Sequence, residues 1–203
     1  MTIEQVDKLE SLYKEPSARA IGKEMTSLDP HARTIIAHSP FLLMATSDAA
    51  GRCDVSPKGD APGFVAVEND TTLLVPDRPG NNRLDGLRNM LENPHVGLLF
   101  LVPGVDETLR VNGKARIIDD PERLATLAVN GRAPTTALEV SVEQVFLHCP
   151  KAFIRSGLWD LEKQVEKGTI PSMGRMLADQ IGGGLDAAEL DRATAEAVKN
   201  NLY

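Results

Sequence analysis

The run Pro76-Asp77-Arg78-Pro79-Gly80-Asn81-Asn82-Arg83 puts two arginines and two asparagines around a proline/glycine turn. A strand pattern ends at this run, and a helix pattern begins inside it with Leu84, Leu87 and Leu91 on one face. Helix N-termini carry unpaired N–H groups and partial positive charge. Arginines beside such a terminus are chemistry for a phosphate, although an asparagine-capped helix with solvated arginines uses the same residues. A second group is Asp54-Val55-Ser56-Pro57-Lys58-Gly59-Asp60. Pro57 within a strand pattern removes a ladder hydrogen bond and marks an edge or a break. Exposed backbone there can pair with a planar heterocycle, and Lys58 can reach an anion; a strand ending in a charged turn is the plainer reading. A third group, Arg110, Lys114 and Arg116, lies on the polar face of an alternating strand with no acid between them. The fourth, Lys151, Arg155 and Trp159, has i, i+4, i+8 spacing and holds the only tryptophan, which suits covering a ring system or packing at an interface.

These groups need elements to hold them. Thr2 and Gln5 form a capping pair, and Ile3, Val6, Leu9 and Leu12 recur at helical spacing until Glu15-Pro16. Asp29-Pro30 opens a second helix, with Asp as cap and Pro in the first position, ending near Ser39-Pro40. The pattern then turns to short strands: Phe41 to Ser47, Arg52 to Pro57, Gly63 to Val67, Thr71 to Val75, Val96 to Val102, Leu109 to Ile117, and one marked by Leu138, Val140 and Val142 that runs on to His148. Asp48-Ala49-Ala50-Gly51 and Glu68-Asn69-Asp70 join the first four as hairpins. Asn81 to Glu92 reads as a helix stopped by Asn93-Pro94, Asp120-Pro121 opens a short helix, and Pro150 to Trp159 forms another. Gly182-Gly183-Gly184 reads as a flexible connection before an amphipathic helix from Asp186 to Asn200. Short strands at hairpin spacing predict an antiparallel barrel rather than a parallel βαβ sheet. The expected organisation is N-terminal helices over residues 1–39, the barrel over 40–159, and a C-terminal helical extension packed on it over 160–203.

The 203 residues are 42% hydrophobic and 25% charged, the composition of one globular domain with additions. Lys and Arg total 22 against 29 Asp and Glu, a net charge of −7. That excludes coating nucleic acid as the main activity, and 4% aromatics disfavour base stacking. No apolar run reaches the ~20 residues of a membrane span. The opening MTIEQVDKLE is charged where a signal peptide is apolar, so a cytoplasmic protein with no membrane partner is expected. Cys53 and Cys149 form no CxxC motif, and His31, His38, His95 and His148 have no metal-ligand spacing, so no metal is expected. GxSxG, GxGxxG and GxxxxGK[ST] are absent from the sequence, which withholds support from nucleophile-elbow hydrolases, ordinary dinucleotide-binding enzymes and P-loop NTPases.

Taken in order, FLLMATSDAAGRCDVSPKGD, PGFVAVENDTTLLVPDRPGNNRLDGLRNMLENPHVGLLFLVPG and ETLRVNGKARI resemble the pyridoxamine 5′-phosphate oxidase-like FMN-binding split barrels over residues 35–160. The resemblance implies a mainly β fold with flanking helices, a six-stranded antiparallel split barrel. It further implies a homodimer with FMN at the interface. By position it assigns Asp54, Val55 and Ser56 to the flavin ring and Lys58 to the phosphate. Pro76, Asp77, Arg78, Asn81, Asn82 and Arg83 become ribityl and phosphate contacts. Glu107, Thr108 and Leu109 stand where the pyridoxamine phosphate-oxidising enzymes carry an Arg-Gln-Val triplet, so Thr108 replaces a flavin-touching Gln. Lys151, Arg155 and Trp159 fall where a second chain closes the site. Lys58, Arg110 and the partner subunit's Arg155 are candidates for the positive group near a reduced flavin, and no residue takes an assigned catalytic role.

The vitamin-forming oxidases end in an Arg-x-His substrate motif, whereas this chain ends AVKNNLY and holds no such motif. The resemblance therefore extends to the cofactor and not to the substrate. The implied function is an FMN-dependent oxidoreductase transferring a hydride between the flavin and an unidentified small molecule; the alternative is a non-catalytic module carrying FMN or another anionic heterocycle. A haem-handling barrel fits less well, because none of the four histidines has an axial ligand's context. The acidic surplus does not oppose an anionic ligand. Residues 1–29 hold four basic and six acidic groups and residues 160–203 hold five and eight, so the flanks carry most of it. A charge-assisted hydrogen bond is worth about 1.5–3 kcal/mol. Arg83→Ala is accordingly expected to weaken FMN binding about tenfold to a hundredfold relative to Lys199→Ala in a fluorescence titration, and equal affinities would place the phosphate elsewhere.

Overall fold

The computed structural model describes residues 2–200 together with Leu202 and Tyr203. Three helices come first: α1 (Val6–Glu10), α2 (Ala18–Gly22) and α3 (Pro30–His38). The strands are β1 (Phe41–Ser47), β2 (Cys53–Gly59), β3 (Ala66–Asn69), β4 (Thr72–Asp77), β5 (His95–Leu101), β6 (Thr108–Ile118) and β7 (Thr136–His148). Helix α4 (Asp85–Glu92) lies between β4 and β5, and α5 (Pro121–Ala125) between β6 and β7. After β7 come α6 (Lys151–Ser156), a 3-10 turn (Leu161–Lys163), α7 (Met173–Ile181) and α8 (Ala187–Asn200).

The same Asp-Pro device starts two helices. The Asp29 carboxylate accepts from the Ala32 N–H, and Asp120 accepts from the Glu122 and Arg123 N–H groups. The following proline fills the first helical position, where no N–H is needed. Ala32 and Ile36 of α3 enter the core.

All strand pairs are antiparallel, in the order β2-β1-β5-β6-β7-β4-β3. The alternation along β6 buries Leu109, Val111 and Ala115 and turns Lys114 and Arg116 to solvent. Those buried side chains meet Leu42 and Met44 of β1, Leu73 and Val75 of β4, Leu98 and Phe100 of β5, and Leu138, Val140 and Val145 of β7 in one core. The register of β6 on β7 shifts at Asn112/Gly113. There the Gly113 backbone lies so close to β7 that a Cβ would stand 2.0 Å from the Ser141 carbonyl oxygen.

The six strands implied by the resemblance are corrected to seven, as the strand patterns in the sequence suggest, in a sheet that does not close on itself. The open edges are β2 and β3, and β3 pairs only with Thr72 to Leu74 of β4, so the Val75 to Asp77 end of β4 has no strand on that side and faces a gap toward β2. Pro57 on the edge strand β2 and Pro76 at the uncovered end of β4 each lack a donor, as backbone with no strand on one side can tolerate. Other boundaries move too. Helix α1 begins at Val6 with Gln5 as an N-cap that makes no side-chain bond, so the Thr2/Gln5 capping pair does not form. Its apolar residues Val6 and Leu9 are exposed, and without burial so short a helix gains little. Helices α2 and α7 are additions to the expected elements. Among the described residues, no helix is long and apolar enough to cross a membrane.

Gly113→Ala forces β6 and β7 apart at their longest pairing. Overpacking of this kind costs about 1–3 kcal/mol or more, so chemical denaturation is expected to show a loss of that size. Gly80→Ala, where a Cβ meets nothing within 4 Å, is expected to be neutral; equal midpoints for the two variants would contradict the contact.

Candidate functional site

Strand β2 is an edge, and helix α4 lies against it. The Asn89 side-chain amide donates to Thr46 Oγ1 at 3.0 Å and to Asp54 Oδ2 at 2.8 Å. Asn89 and Thr46 are both buried, and a buried amide is costly unless bonded. The helix therefore fixes Asp54 on the face of β2 that looks toward the core. Gly86 in the first turn is also buried; a Cβ there would lie 3.5 Å from Thr46 Oγ1 and 3.9 Å from Ser56 Oγ. Val55 points the other way, into solvent.

Two ion pairs cross the gap between β2 and β4. Lys58 Nζ meets Asp77 Oδ1 at 2.9 Å, with both side chains largely covered. Just beyond the strand ends, Arg78 Nε donates to Asp60 Oδ2 at 2.6 Å, and Arg78 Nη1 donates to the Leu127 carbonyl at 2.9 Å. The Asp60 side chain is only 2% exposed. Its other oxygen accepts the Tyr203 hydroxyl at 2.7 Å. Burial pushes the Asp60 carboxyl up, but the bonds from Tyr203, the Ala61 N–H and Arg78, with the Arg78 charge, together hold it below the ordinary value of 3.8. The same bond to Asp60, reinforced by burial, raises the Tyr203 phenol.

The loop from Arg78 to Leu84 leaves the Lys58–Asp77 pair and returns to β2 at Gly86. The expected helix start at Asn81 is corrected to Asp85, four residues on. The cause is local. Asn81 Oδ1 accepts the Arg83 N–H at 3.0 Å, and Asn82 adopts a left-handed φ of 56°. Asparagine tolerates both and thereby competes with helix formation. The N-cap falls to Leu84, which offers no side-chain acceptor. Arg83 turns to Asp85 Oδ2 at 2.8 Å and stays 75% exposed, which favours the lower end of its expected contribution.

Asp54, Ser56, Lys58, Asp77, Arg78 and the start of α4 thus come together along the gap, with Pro76 buried beside Asp77 in β4. The remaining candidates do not join them. Thr108 is buried opposite His148, with β1 and β5 between its strand and β2. Lys151 and Arg155 are exposed on α6. Trp159 donates its ring N–H to the Val105 carbonyl at 2.9 Å and stacks on Phe153 with centroids 5.7 Å apart. Three participants had no sequence signal. Asn89 sits inside a helix pattern, Leu127 contributes only a carbonyl, and Tyr203 is 143 residues from Asp60.

The sequence profile of the pyridoxamine 5′-phosphate oxidase family matches residues 28–149. The chain belongs to this family. No curated protein matches the chain. Solved structures resemble it in part. HupZ from Group A Streptococcus is 19% identical, covering 59% of this chain and 92% of HupZ at a TM-score of 0.46. An FMN-binding protein from Syntrophomonas wolfei is 13% identical, over 58% of this chain and 84% of its own, at 0.46. HutZ, the haem storage protein from Vibrio cholerae, is 18% identical, over 60% and 93%, at 0.42. At these identities and scores the likenesses add nothing to the family assignment.

Removing one partner of a buried pair strands the other charge and costs about 3–5 kcal/mol. Asp60→Asn is therefore expected to destabilise the protein strongly at neutral pH, and Asp60→Asn with Arg78→Met to recover part of the loss. A carboxyl held low in the folded state stabilises above its unfolded value of 3.8, and that stability is lost as pH falls through the folded value. Denaturation curves below pH 4 should flatten in the variant; an unchanged acid limb would show that Asp60 does not carry it.

Proposed function

We propose that the protein binds FMN along the gap between β2 and β4 and acts as an FMN-dependent oxidoreductase on a small molecule. The family match over residues 28–149 carries this reading. The donor set suits a phosphate on a polar chain. The first turn of α4 has no side-chain cap, so its N–H groups are available to an anion. Lys58 and Arg78 stand at one end of the loop and Arg83 at the other. Each of these cations already has a carboxylate partner, so the site selects by geometry more than by net charge.

In this reading Lys58, Arg78 and Arg83, with Asn81, Asn82, Pro76 and Asp77, hold the phosphate and ribityl chain, while Asp54, Val55 and Ser56 border the ring. Asn89 keeps β2 in place beneath it. When bound, FMN supplies hydride exchange with a molecule stacked on its ring. A second copy of the chain completes the site, bringing Lys151, Arg155 and Trp159 over the ring. Exposed apolar side chains on β1 and β2, Phe41 and Val55, support such pairing. The absence of an Arg-x-His motif favours one second reading, a carrier that holds FMN without turnover.

Protein reconstituted with excess FMN and dialysed is expected to keep a visible flavin spectrum, and colourless protein would refute the reading. Lys58→Ala should release FMN more readily, whereas Asp77→Asn, which frees Lys58 from its acid, should retain it more tightly. Reduction by NADPH followed by oxidation with a quinone would select the enzyme over the carrier.

A further inference from the structure

Tyr203 is bound at two points. Its hydroxyl donates to Asp60 Oδ1 at 2.7 Å, and its carbonyl accepts from Arg132 Nη1 at 2.8 Å. Its ring centroid stands 5.9 Å from the guanidinium carbon of Arg78. Asp60 is therefore shared, with Oδ1 taking Tyr203 and Oδ2 taking Arg78. The Asp60 side chain has almost no contact with water, so it has little room to choose other partners. Arg78 spends Nε on Asp60 and Nη1 on the Leu127 carbonyl. Its Nη2 makes no hydrogen bond among the described residues, and Arg78 is the first residue of the loop that leads to α4.

We infer that Tyr203 is a positioning residue for the phosphate site: it locks Asp60, and through Asp60 it presents Arg78 with Nη2 directed to a phosphate monoester. This inference rests on the FMN reading and names the device that tunes its affinity. An arginine already held at two nitrogens loses less rotamer freedom when it takes a further partner. Seating of Tyr203 and binding of the phosphate consequently favour each other, because two events that share one restrained side chain are reciprocally coupled. The ring system of the ligand has no part in this coupling.

FMN and riboflavin, which differ only in the phosphate, are titrated into the wild-type protein and Tyr203→Phe by flavin fluorescence, with the 31P resonance of bound FMN recorded for both. Phenylalanine keeps the ring beside Arg78 and removes only the hydroxyl. The inference predicts about a fivefold or greater loss of FMN affinity, an unchanged riboflavin affinity, and a displaced 31P resonance in the variant. Equal FMN affinities with an unmoved 31P resonance would overturn it. An equal loss for FMN and riboflavin would also overturn it, since that marks a general loosening of the fold. Failure of the wild-type protein to bind FMN at all would instead overturn the reading beneath it.

Discussion

Two carboxylate–cation pairs do at the gap between β2 and β4 what backbone hydrogen bonds do elsewhere in the sheet. Lys58–Asp77 and Asp60–Arg78 tie the end of β2 to the end of β4 at 2.9 and 2.6 Å, where no ladder joins them. A ladder would have sealed the gap with groups already satisfied. Side-chain pairs hold the strands in register but leave polar groups and the loop between them open to a ligand. The placement of α4 follows from this. Its loop departs from Asp77 and its first turn returns over Ser56, so both ends of the loop rest on the same edge strand.

The electrostatics follow the same pattern. The chain carries a net charge of −7, and each of the three cations Lys58, Arg78 and Arg83 is balanced by an acid. Bare attraction is therefore weak at the gap, and in the proposed site directed N–H groups rather than a positive field would hold the anion. The pairs also differ in kind. Asp60–Arg78 is buried and backed by Tyr203 and Leu127, so it is a framework part. Arg83–Asp85 is exposed and exchanges partners at little cost. Lys58–Asp77 lies between these extremes, so in the proposed site Lys58 is the cation with most to offer a phosphate.

The sequence made the sheet legible where one physical cause dominated. Strict alternation of Leu109, Val111, Gly113 and Ala115 located the inward face of β6, and Asp29-Pro30 and Asp120-Pro121 located two helix starts to the residue. Pro57 marked β2 as an edge or a break, and it is an edge. What stayed hidden depends on tertiary geometry. Asn81 captures the Arg83 N–H and delays α4 to Asp85, although a helix pattern runs through both. Asn89 looks like an ordinary helix residue until β1 and β2 lie beneath it. Tyr203 reaches Asp60 only because the chain folds back across the whole domain, a meeting that no local pattern encodes. The order of the motifs, rather than any one of them, carried the family resemblance.

The proposed phosphate site is the gap between β2 and β4. A crystal structure of the protein grown with FMN tests it most directly. Density for the phosphate is expected against the first turn of α4, within hydrogen-bond distance of Lys58 or Arg78, with Asp60 still joined to Tyr203. Flavin density elsewhere, with both ion pairs intact and the loop from Arg78 to Leu84 untouched, would contradict it.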